Sequence, residues 1–184
     1  VTAGDGGLGR TLAVLHALEG AGAACVELGL PFSDPVADGP LLQAAALRSL
    51  DSGTTFEGVL DLIARYRSAG GALPILAFSY ANPILSRGAE DACSRLAEAG
   101  ADGLLIPDMP VEEHTCIAGA MQAADLASVF FVTPTTADAR IVRAAELSRG
   151  FLYVIGRTGI TGARTELGSE GSEFLARVRS LTTC

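Results

Sequence analysis

The stretch VELGLPFSDPVADGP, residues 26–40, decides how this chain folds. It begins as an apolar segment typical of a buried strand, which a single carboxylate, Glu27, interrupts. Pro31, Pro35 and Gly39 then predict a rigid loop that presents Asp34 and Asp38. A carboxylate in an apolar strand costs free energy unless it is paired or used. Because α/β enzymes keep their chemistry where strands run into loops, the stretch predicts a functional loop at a strand end.

The composition predicts one domain with a large interior. The chain has 184 residues, of which 49% are hydrophobic and 18% charged, enough for a substantial core. Its formal net charge of -8 argues against nucleic acid and against an anionic membrane surface as partners. A phosphorylated small molecule is compatible with this charge, since backbone amides at a helix start can hold a phosphate without basic side chains.

The cysteine pattern predicts neither a disulfide framework nor a metal site. The four cysteines show no CxxC spacing and no cluster with a histidine, at positions 25, 93, 116 and 184. Scattered reduced thiols are typical of a cytoplasmic protein, and no signal peptide opens the sequence. The longest uncharged run, 68–86, contains glycines and prolines that favour a buried strand between two loops over a membrane span.

Short apolar runs alternate with amphipathic segments along the chain. The runs are continuous rather than alternating, as expected for parallel strands buried on both faces, and we predict strands at 25–30, 75–80, 103–107, 128–133 and 151–156, with a remnant at 1–3. Apolar residues at helical spacing predict helices around 56–63, 89–96, 138–147 and 174–181. The order is βαβα throughout, in a single domain over 1–184.

The spacing of these units favours a (β/α)8 barrel, the TIM barrel. Residues 21–34 and 99–110 repeat one plan, in which small residues end a helix and a strand then runs into a loop with proline and an acid. Strand starts recur about every 31 residues, and eight such units give roughly 250 residues, the usual size of this barrel. About six units are present, so we predict an incomplete barrel, with an open doubly wound sheet as the alternative.

Six segments, in order and at matching spacing, resemble the tryptophan synthase α chain family. The resemblance covers nearly the whole sequence and rests on VTAGD (1–5), ELGLPFSDPVADGPLLQ (27–43), YANP (80–83), PDMPVEE (107–113), TPTT (133–136) and YVIGRTGITGA (153–163). It implies a lyase that cleaves indole-3-glycerol phosphate by a retro-aldol reaction into indole and glyceraldehyde 3-phosphate. The reaction belongs to tryptophan biosynthesis and needs no metal or organic cofactor in this chain.

The resemblance also implies a division of labour between two carboxylates. Glu27 is expected to be the acid/base group, because desolvation in an apolar strand favours its neutral form. Asp38, on a wetter loop, is expected to stay ionised and to accept a hydrogen bond from the indole nitrogen. Two carboxylates in different surroundings suit a reaction that needs both an acid and a charge-stabilising group.

Further roles follow from the resemblance residue by residue. It implies that Phe78 and Leu105 form an apolar slot for the indole and that Tyr153 lies beside Glu27. It further implies that Thr161 holds a mobile loop, which closes over the substrate, against Asp38. The backbone amide of Gly162 is expected to bind the phosphate. The face toward a β chain, in an α2β2 assembly with pyridoxal phosphate in the β chain, is expected to include Asp34, Pro35 and Asp108.

Other interpretations of the same residues stay open at this stage. Glu27 could be a buried carboxylate that pairs with an arginine. Asp34 and Asp38 could be simple turn residues, and Asp108 could begin a helix. The family's seventh and eighth strands have no counterpart after residue 181, which leaves the expected phosphate site half absent. Two alternatives to the lyase subunit therefore remain: a stand-alone lyase of the same family, and a non-catalytic module that only binds and activates a β partner.

Overall fold

The computed structural model describes residues 1–156 and 169–183 of the chain. The strands in these ranges are β1 (Val26–Gly29), β2 (Ile75–Phe78), β3 (Gly103–Leu105), β4 (Ala127–Ser128), β5 (Phe131–Val132) and β6 (Tyr153–Val154). The helices are α1 (Leu8–Gly20), α2 (Pro40–Asp51), α3 (Phe56–Ser68), α4 (Ala81–Leu85), α5 (Ala89–Ala99), α6 (Thr115–Ala123), α7 (Asp138–Leu147) and α8 (Ser169–Leu181), with a 3-10 turn at Val111–His114.

All the described strand pairs are parallel and follow chain order. One sheet has the order β1-β2-β3-β4, and β5 pairs with β6 in a second sheet. A doubly wound sheet reverses its strand order at a switch point, and no reversal occurs here. Sequential parallel strands with right-handed crossovers place their helices on one side, which is the construction of a barrel wall.

The strand predicted at 128–133 is divided into two by its pairing. Its first part, β4, pairs with β3, whereas its second part, β5, pairs with β6. Strands in a barrel are staggered, so one strand meets its two neighbours over different lengths. The prediction of a single uninterrupted strand was therefore wrong. The remnant predicted at 1–3 contributes one parallel bridge, from Thr2 to Gly29.

The apolar residues that the sequence places at helical spacing face the core. The stripe of α3 is buried against the first sheet, and so is that of α5, through Ala89, Ala92, Cys93 and Leu96. α7 has the predicted bounds, and its Ile141 and Ala144 pack with Phe174 and Val178 of α8 in a second cluster beside β5. The chain thus has one large core under β1–β4 and a smaller one under β5 and β6.

A single arginine ties together the loops at the amino ends of the strands. The guanidinium of Arg67 donates to the carbonyl oxygens of Gly71, Leu73 and Gly100 at 3.0, 2.9 and 2.9 Å. It also pairs with Asp102 at 2.7 Å. This face of the barrel wall is therefore fixed by polar contacts, which leaves the opposite face, where the strands end, for a site.

Candidate active site

A cavity of about 500 Å³ lies where the strands end. It is lined by residues in or just after five strands, β1, β2, β3, β5 and β6, together with the loop before α2 and its first turn: Glu27, Gly29, Ala37, Asp38, Leu42, Phe78, Pro107, Phe131, Thr133, Tyr153 and Ile155, beside Val1 and Thr2. The volume is within the range of small-molecule sites, and the walls combine apolar rings with two carboxylates. The strand ends thus converge on the residues that the sequence singled out.

Glu27 enters this cavity from the middle of β1. Its neighbours along the strand, Val26 and Leu28, are buried, whereas Glu27 is half-buried because strand side chains alternate between faces. Burial raises the pKa of Glu27 above its ordinary value, and the Val1 amino group opposes that shift. No arginine pairs with Glu27 in the described part of the chain. Its neutral form is therefore favoured.

Asp38 approaches the same cavity from the loop between β1 and α2. Burial raises the pKa of Asp38, and a hydrogen bond with the Tyr80 hydroxyl acts in the opposite direction. The same hydroxyl accepts a hydrogen bond from the backbone N–H of Ala37 at 3.1 Å. Asp38 is thus less solvated than a surface turn residue, and Tyr80 offsets part of the effect of its burial.

Tyr80 was not among the residues that the sequence singled out. It is buried, and its ring lies 5.5 Å from that of Phe32 and 6.2 Å from that of Phe78. Burial and the charge of Asp38 raise the pKa of its hydroxyl. A tyrosine directly after an apolar strand and before Asn-Pro was the available signal, but only the fold brings it to a loop 43 residues away.

Three aromatic rings form the apolar wall. Phe78, Phe131 and Tyr153 line the cavity from the ends of β2, β5 and β6, and the Phe131 and Tyr153 rings are 4.8 Å apart. Burial, and next the charge of Glu27, raise the pKa of Tyr153, and both residues line the cavity. Phe131 was missed because its position in a continuous apolar run does not distinguish it from core residues.

Leu105, expected beside Phe78 in the slot, lies one layer deeper. It is fully buried with Leu76 and Val129, and the partly buried rings of the wall pack against that cluster. It does not line the cavity, because the larger aromatic side chains cover it. Leu105 therefore supports the floor of the site, and Phe131 occupies the wall position that the sequence assigned to it.

The residues expected to face a partner lie at the rim of this end of the wall. Asp34 is exposed and Pro35 half-buried, in the loop that carries Asp38. Asp108 is exposed, and its carboxylate accepts a hydrogen bond from the backbone N–H of Ala81 at 2.8 Å, which ties the loop after β3 to the start of α4. Asp108 thus joins two neighbouring loops rather than starting its own helix.

Two site predictions fall outside the part that the structure describes, namely Thr161 and Gly162. Within residues 1–156 and 169–183, no group of three or more metal-binding side chains occurs. The same ranges contain no helix long and apolar enough to cross a membrane. His16 is exposed on α1.

The fold and the cavity define a (β/α)-barrel protein with a two-carboxylate site at the carboxyl ends of its strands. The whole chain, residues 1–184, matches the family model described as "Tryptophan synthase alpha chain". The alpha chain of Gloeobacter violaceus is 47% identical over 183 residues, which are 100% of this chain and 66% of that protein. The alpha chain of Roseiflexus sp. is 49% identical over 173 residues, 94% of this chain and 66% of that one.

Solved structures give the same result. The tryptophan synthase a2b2 complex from Pyrococcus furiosus contains a chain that is 31% identical, with a TM-score of 0.91 over 100% of this chain and 73% of that one. The Mycobacterium tuberculosis tryptophan synthase matches with a TM-score of 0.89 at 30% identity. This chain belongs to the tryptophan synthase alpha chain family, and it spans about two thirds of the length of the curated relatives it matches.

Proposed function

We propose that this protein is a lyase subunit that cleaves indole-3-glycerol phosphate into indole and glyceraldehyde 3-phosphate. The observation that supports it most is one cavity that holds Glu27 and Asp38 against a wall of aromatic rings. An indole ring is flat and apolar with a single N–H donor, so it matches a wall of aromatic rings beside a carboxylate.

Glu27 would act as the acid and then as the base. In its neutral form it gives a proton to the ring carbon that bears the glycerol chain, and the ring nitrogen becomes positively charged. The resulting Glu27 carboxylate then takes the proton from the side-chain hydroxyl next to the ring while the carbon–carbon bond breaks. The bonding electrons return to the ring, indole and an aldehyde form, and Glu27 is neutral again.

Asp38 would stabilise the charge that appears between those two proton transfers. An ionised carboxylate that accepts the indole N–H is most effective when the nitrogen carries positive charge, so it favours the transition state over the ground state. The hydrogen bond from Tyr80 offsets part of the burial that raises the pKa of Asp38. Phe78, Phe131 and Tyr153 would hold the ring between the two acids.

The test is indole release from indole-3-glycerol phosphate by the purified chain, with and without a bacterial β chain. Glu27→Gln removes the titrating group at nearly constant size, and we expect it to lower kcat by about 10²–10⁴-fold with an unchanged melting temperature or a small increase. Glu90→Gln, an acid on α5 outside the cavity, is the matched control. Equal rates for the Glu27 variant and the parent chain would rule out the acid/base assignment.

The partner of this chain is proposed to be a tryptophan synthase β chain in an α2β2 assembly. Support comes from two loops at the rim of the cavity, one with the exposed Asp34 and the half-buried Pro35 and the other with the exposed Asp108, and from the a2b2 complex to which the chain is similar. Pyridoxal phosphate would belong to the β chain. A cytoplasmic location fits the three free cysteines in the described ranges, Cys25, Cys93 and Cys116.

A β-chain assay separates this proposal from a purely activating module. The measurement is the rate at which a β chain joins indole to serine, with and without this protein. A module that only binds the β chain predicts full activation by the parent chain and by Glu27→Gln, and no indole release by either. A lyase subunit predicts that activation survives in the variant while indole release is lost.

A further inference from the structure

Helix α2 begins two residues after Asp38, yet it has little apolar attachment to the core. Its buried residues are Ala45, Ala46 and Ser49, whereas Leu41 and Leu47 are 78% and 53% exposed. Two buried alanine side chains provide little hydrophobic stabilisation. Since Asp38 lies two residues before Pro40, the first residue of α2, the position of this helix sets the position of the carboxylate.

The carboxyl-terminal end of α2 is held by polar contacts with residues 3–5. The hydroxyl of Ser49, which is fully buried, donates to the carbonyl oxygen of Ala3 at 2.5 Å. The guanidinium of Arg48 forks onto Asp5, with N–O distances of 2.8 and 2.7 Å. Ser52 adds a longer contact of 3.5 Å to the carbonyl oxygen of Gly4.

The segment that Ser49 grips is bound in turn to the strand that carries Glu27. The backbone N–H of Ala3 donates to the carbonyl oxygen of Gly29, the last residue of β1, at 2.9 Å. A buried polar path therefore leads from the strand of one carboxylate to the helix of the other. Space along that path is tight: Gly4 has φ +82, and a Cβ there would lie 2.6 Å from the Ser49 hydroxyl.

We propose that Ser49, supported by the Arg48–Asp5 pair, is a positioning residue that fixes the separation of Glu27 and Asp38 in the site. It touches neither the cavity nor a substrate, and it acts through α2. The catalytic meaning of this role rests on the proposed function, but the positioning of α2 does not. In the loop that precedes α2, the N–H of Ala37 donates a hydrogen bond to the Tyr80 hydroxyl. Hydrogen exchange at this N–H therefore reports whether the loop has moved.

The experiment compares amide hydrogen exchange of Ala37 and Gln43 in the 184-residue chain and its variants. Ser49→Ala leaves the Ala3 carbonyl oxygen without its donor, and we expect exchange at Ala37 to rise at least five-fold while the amides of β2 keep their rates. Ile117→Val, on the buried face of α6, is the control for general destabilisation, because it alters packing without touching α2.

A second variant keeps the test decisive if Ser49→Ala does not fold. Arg48 is exposed, so Arg48→Gln removes the ion pair without disturbing the core. Its matched control is Arg140→Gln, which breaks a similarly forked pair with Glu112 at 2.6 Å, between α7 and the 3-10 turn. We expect faster exchange at Ala37 in the first of these variants and not in the second. Unchanged exchange in Arg48→Gln, or equal changes in both, would overturn the proposal.

Indole release by the same proteins distinguishes this inference from the proposed function. If both hold, Ser49→Ala lowers kcat about ten-fold with little change in KM, since the apolar wall that binds the ring is intact. If no protein, the parent chain included, releases indole while exchange at Ala37 still rises, the positioning role stands and the proposed function fails. Full activity together with unchanged exchange removes the positioning role alone.

Discussion

Burial raises the pKa of both Glu27 and Asp38, but only Asp38 has a hydrogen bond that lowers its pKa again. The sequence placed Asp38 on a wetter loop, where it was expected to ionise without help. In the structure, burial raises the pKa of Asp38, and the Tyr80 hydroxyl offsets part of that rise. At the residue scale, the difference between the two acids is therefore a hydrogen bond rather than exposure.

Glu27 should make the protein less stable as the pH rises. Its pKa is raised in the folded state, so folding favours the protonated form, and this contribution is present below the ordinary carboxyl pKa of about 4.3 and lost as the pH rises through the folded value. We expect Glu27→Gln to raise Tm at pH 7 by about 2 °C and to leave it unchanged at pH 4. Thermal melts from pH 4 to 8 measure the effect, and a constant difference across that range would contradict it.

Tyr80→Phe should loosen the loop of Asp38. The substitution leaves the Ala37 N–H without its acceptor and removes a donor from Asp38, so we expect a loss of about 1 kcal/mol in the free energy of unfolding. The pKa of Asp38 should rise, because only burial then acts on it. Urea unfolding and a carboxyl NMR titration measure both effects. Tyr66→Phe, on the far side of the wall, serves as control and should leave Asp38 unaffected.

At the scale of elements, the apolar runs predicted where strands form. Apolar residues at helical spacing predicted the buried faces of α3, α5 and α7. These are local patterns, since a strand or helix that faces a core must show its period in the sequence. The division of the strand at 128–133 could not be predicted, because it depends on which neighbours β4 and β5 meet. Likewise, the depth of Leu105 below the aromatic wall is a property of packing between strands.

The loops at the amino ends of the strands should depend on Arg67. Replacing it with methionine keeps much of the apolar stem but leaves three carbonyl oxygens without their donor and Asp102 without its ion-pair partner, so we expect a loss of about 2–4 kcal/mol in the free energy of unfolding. Indole release per folded molecule should not change, because this face is opposite to the site. Arg143→Met, which breaks only an exposed pair within α7, should cost about 0.5 kcal/mol or less.

On the scale of the whole molecule, the core is unequally divided between the two sheets. The cluster under β1–β4 contains most of the buried side chains, whereas β5 and β6 are two residues long each and rest on a small cluster with α7 and α8. We nevertheless propose one domain over residues 1–184, because the residues of β4 and β5 lie in one continuous stretch of chain and connect the halves.

Hydrogen exchange should reveal this inequality. The amides of β2, which is paired on both sides, are expected to exchange at least ten-fold more slowly than those of Tyr153 and Ile155, which bond to Phe130 and Val132 at the half-buried β5–β6 pair. Exchange followed residue by residue under native conditions tests the expectation. Equal protection in both regions would mean that the two clusters open only together.

The aromatic wall has a photophysical consequence. The chain contains three tyrosines and no tryptophan, and Tyr153 is the one that lines the cavity, next to Phe131. Any indole that enters would be the sole indole chromophore within reach of tyrosine emission, and it absorbs where tyrosine emits. Occupation of the cavity should therefore quench the ultraviolet emission of the protein and appear as sensitised indole fluorescence, so that the unlabelled molecule reports its own ligand.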